Sequence, residues 1–262
     1  MSVMSVPQWL GPPGRRLFAT WHGCNEPAGM TLVICPPLFH ERVLGYRLFG
    51  LLAARLAAAG IACLRFDYYG TGDSAGDDLD FSLEGACTDI AIAVAAARAQ
   101  SVGGGSVGLL AVRGGGWPAW SATVRDPSIS HCWIWQPLTD GAEYLDALQR
   151  VDTAERTVRT NPPFCKAPST SRDDGQLVGC ACPESLRREL RDAQLPATNL
   201  LPGTSLGVLG RRNELDRATF ATYRIELTES ATQWADTLKV RATFLTKALT
   251  EPIDRLASVL LA

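Results

Sequence analysis

Three short apolar runs, Thr31–Cys35, Ile61–Phe66 and Ser106–Ala111, alternate with stretches of helical periodicity. That alternation constrains the fold more than any other feature of the chain. Leu44 to Ala59 places Leu48, Leu51, Leu52, Leu56 and Ala59 near i, i+3, i+4 spacing, which predicts a helix with one apolar face. Gly60 follows, where a glycine commonly ends a helix. Phe81 to Ala99 is a long alanine-rich helix, and Ser101 to Gly105 is a glycine-rich return to the next strand. Arg15–Trp21, His131–Trp135, Ser205–Gly210 and Thr222–Leu227 read as further strands, and Glu251–Ala262 as a closing helix. Strands and helices alternating through short turns predict an α/β fold, a doubly wound and mostly parallel sheet with helices on both faces.

Asp140–Leu195 breaks this rhythm and divides the chain into a first core part (1–139), an insertion (140–198) and a last core part (199–262). The insertion opens with an amphipathic helix over Ala142–Arg150, passes through Asn161-Pro162-Pro163, and carries a second helix from about Pro183 to Gln194. A lid over a site and a surface excursion without a ligand role both fit such a segment.

A chain of 262 residues buries a core large enough to need neither disulfide nor metal. Its formal charge of −2 argues against a general binder of nucleic acid or of anionic membranes. No run approaches the ~18 apolar residues of a membrane helix, and Met1 to Phe18 has no apolar core ahead of a cleavage site. Of the eight cysteines, Cys35, Cys63, Cys87 and Cys132 fall in apolar runs, where free thiols behave as small hydrophobes. Cys180-Ala181-Cys182 matches no zinc spacing. These features predict a reduced, cytoplasmic protein with no metal. With no glycine-rich dinucleotide or phosphate loop after a strand, they also predict no cofactor.

The strand Ser106–Ala111 runs through Val112 and Arg113 into Gly114-Gly115-Gly116. Two other stretches stand out. Cys35-Pro36-Pro37-Leu38-Phe39-His40-Glu41-Arg42 follows the first apolar strand, and Asp67-Tyr68-Tyr69-Gly70-Thr71-Gly72-Asp73-Ser74 follows the second as D-x-x-G-x-G-x-S. Together with Trp135-Gln136-Pro137, Asp140-Gly141 and Tyr144-Leu145, they make the chain similar to the α/β-hydrolase superfamily in its serine-aminopeptidase-like branch. Within that branch it resembles hydrolase-like proteins found beside exosortase or natural-product gene clusters. The likeness covers Leu32 to Leu148.

The resemblance implies a Ser–His–acid triad, with the serine at the tip of a G-x-S-x-G turn. Here Arg113 occupies the tip and Ala111 the first glycine position. An arginine stays protonated and is no nucleophile. Glu214 and Asp216 lie where the family acid belongs, although carboxylates near a helix start are also ordinary dipole partners. After Leu227 the chain has no histidine; Gln233, Trp234 and Asp236 stand there instead.

Of the three histidines, His131 opens an apolar strand, His22 sits by a turn, and His40 falls in the loop expected at the ligand end of the sheet. Two readings of His40 stand: an exposed, idle side chain, or a general base oriented by Glu41. Two stand for Arg113 as well: a bidentate fork for an anion, or an internal ion pair with Asp67, Asp73 or Glu214.

The candidate catalytic set is therefore His40, Glu41 and Arg113. Pro37, Leu38, Asp67, Asp73, Gly114, Glu214 and Trp234 are the candidate ligand contacts. Asp67 and Asp73 also suit a purely structural part, accepting backbone N–H groups inside their own loop. The pocket is expected between Pro36–Arg42, Asp67–Gly76 and Arg113–Trp117, roofed by part of Asp140–Leu195. Three functions compete: an enzyme of altered acid–base chemistry (elimination, isomerisation or cyclisation of a small anionic or acyl substrate), an ester, thioester or amide hydrolase with a non-standard site, and a non-catalytic member that binds a ligand, a carrier protein or an enzyme partner. The sequence sets no oligomeric state.

Overall fold

The computed structural model describes residues 4–23, 29–101, 104–159, 175–197, 201–228 and 246–262. Among them, eight strands form one sheet in the order β1-β2-β4-β3-β5-β6-β9-β10. These are β1 (Met4–Leu10), β2 (Leu17–Gly23), β3 (Met30–Cys35), β4 (Ala62–Phe66), β5 (Ser106–Val112), β6 (Ile129–Trp135), β9 (Ser205–Gly210) and β10 (Tyr223–Glu226). β1 and β2 pair antiparallel with each other, β2 pairs antiparallel with β4, and every other pairing is parallel. β5 lies at the centre, between β3 and β6.

The central strands read as continuous apolar runs because both faces of the sheet are covered. Alternation sorts their side chains: Val33, Cys35, Leu109 and Ala111 pack toward α2 (Leu83–Gln100) and α3 (Gly116–Arg125). Leu32, Ile34, Leu110 and Val112 pack toward α1 (Phe39–Ala58) and α7 (Lys247–Leu260). Between these layers the expected doubly wound α/β fold stands, with its strands where periodicity places them.

Two expectations need correcting, and one strand was not expected at all. β1 is a full edge strand, although its residues carry no buried alternation: all but Gln8 and Leu10 are exposed. α1 begins at Phe39 rather than Leu44, so His40 and Glu41 belong to a first helical turn instead of a loop. Leu38 stays extended directly after Pro36-Pro37, and the helix starts at once; Glu41 then sits where the helix dipole favours an anion. Leu51, expected on the apolar face of α1, is exposed.

The insertion contributes α4 (Gly141–Arg159), a short hairpin of β7 (Gln176–Leu177) and β8 (Cys180–Ala181), and α5 (Glu184–Asp192). It is fastened to the core at several points. Glu189 Oε2 accepts from the Leu83 N–H at the start of α2 (2.6 Å), and Asp78 accepts from the Ala181 N–H (3.2 Å). At its base, Leu195 N donates to Thr139 O and Gly141 N to Ala193 O. α6 (Arg212–Arg217) follows β9. No described helix is long and apolar enough to cross a membrane.

Candidate functional site

β5 ends in a sharp turn. Arg113 takes the left-handed conformation, φ +49°, and Arg113–Gly115 form a single tight turn that leads straight into α3. The glycines that follow are required by close packing. A Cβ on Gly115 would fall 2.3 Å from the carbonyl oxygen of Pro36, so no larger residue allows β5 and the β3–α1 connection to approach this closely. The turn thus presents residue 113 above the carboxyl end of the sheet, where open α/β sheets bind ligands.

The Arg113 side chain is held rather than loose. Its Nε donates to Glu41 Oε1 at 2.9 Å, and the two side chains are 11 % and 2 % exposed. The ion pair anticipated with Asp67, Asp73 or Glu214 is made with Glu41. Tyr144, from α4, is buried beside the pair; burial first, and the Glu41 charge second, push its phenol well above the usual tyrosine range. The Tyr144 ring packs on Trp117 (centroids 5.7 Å apart) and on Phe39 (6.4 Å).

His40 is buried, which excludes the exposed reading. Burial, and secondarily the Arg113 charge, lower its pKa to about 4, so the imidazole is neutral at pH 7. Its Nδ1 has no hydrogen-bond partner among the described residues.

The expected single pocket is divided in two. One cavity of about 490 Å³ lies between Arg113, the start of the insertion and α6; Tyr144, Asp140, Arg211 and Glu214 are on its wall. The other, about 480 Å³, lies between Pro37–Val43, the loop 68–81 and the hairpin residues Gly179–Ala181. The Phe39 ring faces the second cavity, Tyr144 the first, and the contact between them is part of the partition. Pro37 and Leu38 line the second cavity, and Leu38 also covers Gly114. His40 and Glu41 line neither cavity.

Glu214 reaches the Arg113 cavity from α6. Its Oε2 accepts from the Arg211 N–H (2.8 Å), while Oε1 takes Arg211 Nη2 (2.7 Å) and lies 3.4 Å from Gln136 Nε2. Asp67 instead organises its own loop. Oδ2 accepts from the Asp73 N–H (3.0 Å), and burial raises the carboxyl's pKa. Asp73 takes part through that backbone donor. Trp234 lies outside the described residues. Sequence reasoning missed Arg42, Arg211 and the steric part of Tyr144. Tyr144 was visible only as part of the resemblance, since nothing local says that an insertion helix returns over the β5 turn.

No protein-family model matches the chain, and no curated protein is similar to it in sequence. Solved structures are similar in fold. Alpha/beta hydrolase domain-containing protein 10 from mouse superposes with a TM-score of 0.57 at 15 % identity, over 97 % of this chain and 98 % of that one. The thioesterase domain from the curacin biosynthetic pathway gives 0.56 at 15 % identity, over 99 % and 100 %. An α/β serine hydrolase without lid from Xanthomonas campestris gives 0.52 at 15 % identity, over 99 % and 93 %. With its sheet order, its covering helices and these structural neighbours, the chain has the α/β-hydrolase fold.

Proposed function

We propose that this chain is an α/β-hydrolase-fold protein that does not use a Ser–His–acid triad, and that it binds a small anionic molecule in the cavity beside Arg113. The observation that carries this reading is the Arg113–Glu41 ion pair at the turn after β5. The turn keeps its backbone form, φ +49°, yet its tip holds a paired guanidinium. A serine esterase needs a nucleophile at that tip and a base within hydrogen-bond reach of it. The chain has no histidine after His131, and His131 belongs to β6.

Arg113 lies on that cavity's wall with its guanidinium held by Glu41, and a guanidinium suits carboxylate or phosphate recognition. Arg211, similarly oriented by Glu214, stands on the same cavity wall. Acid–base turnover by His40 and Glu41 has less support. Glu41 is engaged by Arg113, and neither residue lines the cavity. A neutral His40 has the protonation state of a base, but a base must reach the proton it removes.

The test is a thermal-shift series with small mono- and dicarboxylates and inorganic phosphate on the wild type, Arg113→Lys and Arg211→Gln. Lysine keeps the charge beside Glu41 and loses the fork. At least one anion is expected to raise the melting temperature of the wild type and to lose most of that effect in both variants. Failure of every anion to stabilise the wild type, or equal shifts in all three proteins, would contradict the reading.

A further inference from the structure

A second guanidinium is set into an apolar pocket with its charge loosely balanced. Arg42 lies in the first turns of α1, its side chain 17 % exposed. The nearest carboxylate oxygen, Asp67 Oδ1, is 3.7 Å from Nη1, too far for a hydrogen bond. The other Asp67 oxygen already serves the Asp73 N–H. Among the described residues, no hydrogen bond is made by the Arg42 guanidinium.

The loop above this pair packs closely on it. Gly72 crosses at φ +57°, and a Cβ there would fall 2.8 Å from Arg42 Nη1 and 2.2 Å from Asp67 Oδ2. The cavity of about 480 Å³ spreads from Arg42 over Leu38, Phe39, Tyr68 and Phe81 to the β7–β8 hairpin. Two further acids line it, and each is held by a backbone donor. Asp77 accepts from the Leu79 N–H at 3.3 Å, and Asp78 from the Ala181 N–H at 3.2 Å. One end of the space therefore offers an under-paired cation, and the rest offers aromatic and aliphatic surface.

We propose that this cavity is a second ligand site, separate from the one beside Arg113, which takes an amphipathic carboxylate. The carboxylate meets Arg42, and a short aromatic or acyl body lies on Phe39, Val43 and Phe81. A small ligand gains orientation from one charge-assisted contact and affinity from the apolar area it covers. The site does not depend on the reading of Arg113.

The test uses the full chain and three probes that differ only at the polar end: phenylacetate, 2-phenylethanol and 2-phenylethylamine, titrated by ligand-observed NMR. The wild type is expected to bind phenylacetate saturably, at least tenfold tighter than the alcohol, and not to bind the amine. Arg42→Gln is expected to lower phenylacetate affinity at least tenfold. Ala181→Phe, on the hairpin wall, adds bulk to the space and is expected to abolish binding, so the site stays testable if Arg42→Gln unfolds. Absence of saturable binding, equal affinity for the amine, or unchanged affinity in folded Arg42→Gln or in Ala181→Phe would each overturn the proposal.

Discussion

At the scale of single residues, Glu41 is a carboxylate with almost no access to water, and Arg113 is the cation that makes its ionised form tolerable. Removing one partner of a buried pair leaves the other uncompensated, which costs ~3–5 kcal/mol. Arg113→Ala is therefore expected to destabilise the protein on that scale in urea denaturation. The double variant Glu41→Gln/Arg113→Gln is expected to recover most of the loss, because neither charge then remains buried. Equal instability of the single and double variants would show that the pair matters for its shape rather than its charge.

His40 supplies a second residue-scale expectation. Its folded pKa of about 4 lies below the ordinary 6.5. Between those values the unfolded chain binds more protons, so its contribution is constant above about pH 6.5 and is lost as the pH falls toward 4. His22 behaves alike: burial, then Arg65, lower it to about 4, and its Nε2 accepts from Arg65 Nε. Stability of the wild type relative to His40→Asn is expected to fall by up to about 1.4 kcal/mol per pH unit across that window. Urea midpoints at pH 7.5, 6 and 5 measure it. A difference independent of pH would mean that His40 titrates alike in the folded and unfolded chain.

At the scale of elements, the turn between β5 and α3 owes its form to what it must avoid. Gly115→Ala sets a methyl group against the Pro36 carbonyl and is expected to cost about 1–3 kcal/mol through forced backbone shifts. The measured cost should exceed that of alanine at Gly14, where the added Cβ meets nothing within 4 Å, although both substitutions remove a glycine. If the two cost the same, steric approach does not explain the turn.

Buried central strands were legible in the sequence because each is apolar on both faces, and α2 because its length and alanine content leave little alternative. β1 was not legible: its partners lie on one side only, and its exposed residues give no alternating signal. The start of α1 was missed because a double proline reads as a loop, whereas here the helix begins two residues after it. Arg113 at the turn could be read locally. Its partner Glu41 is 72 positions away, and only the β3–β5 pairing brings the two together.

At the scale of the whole molecule, the sheet brings the ends of β3, β4, β5 and β9 to one side, and the insertion crosses there. Tyr144 reaches down to Phe39 and Trp117, so the space over the sheet is divided, and residues expected in one pocket are distributed between two. Asp67 and Asp73 stay with the loop they shape, while Glu214 faces Arg113 across the other cavity. On the proposed reading, a buried ion pair stands where a serine nucleophile would. The measurement that bears most directly on this is intact-protein mass spectrometry after exposure to a serine-directed fluorophosphonate, with an active serine esterase as positive control. The expected result is an unchanged mass under conditions that label the control completely. A stoichiometric adduct, mapped by peptide sequencing to any serine of this chain, would contradict it.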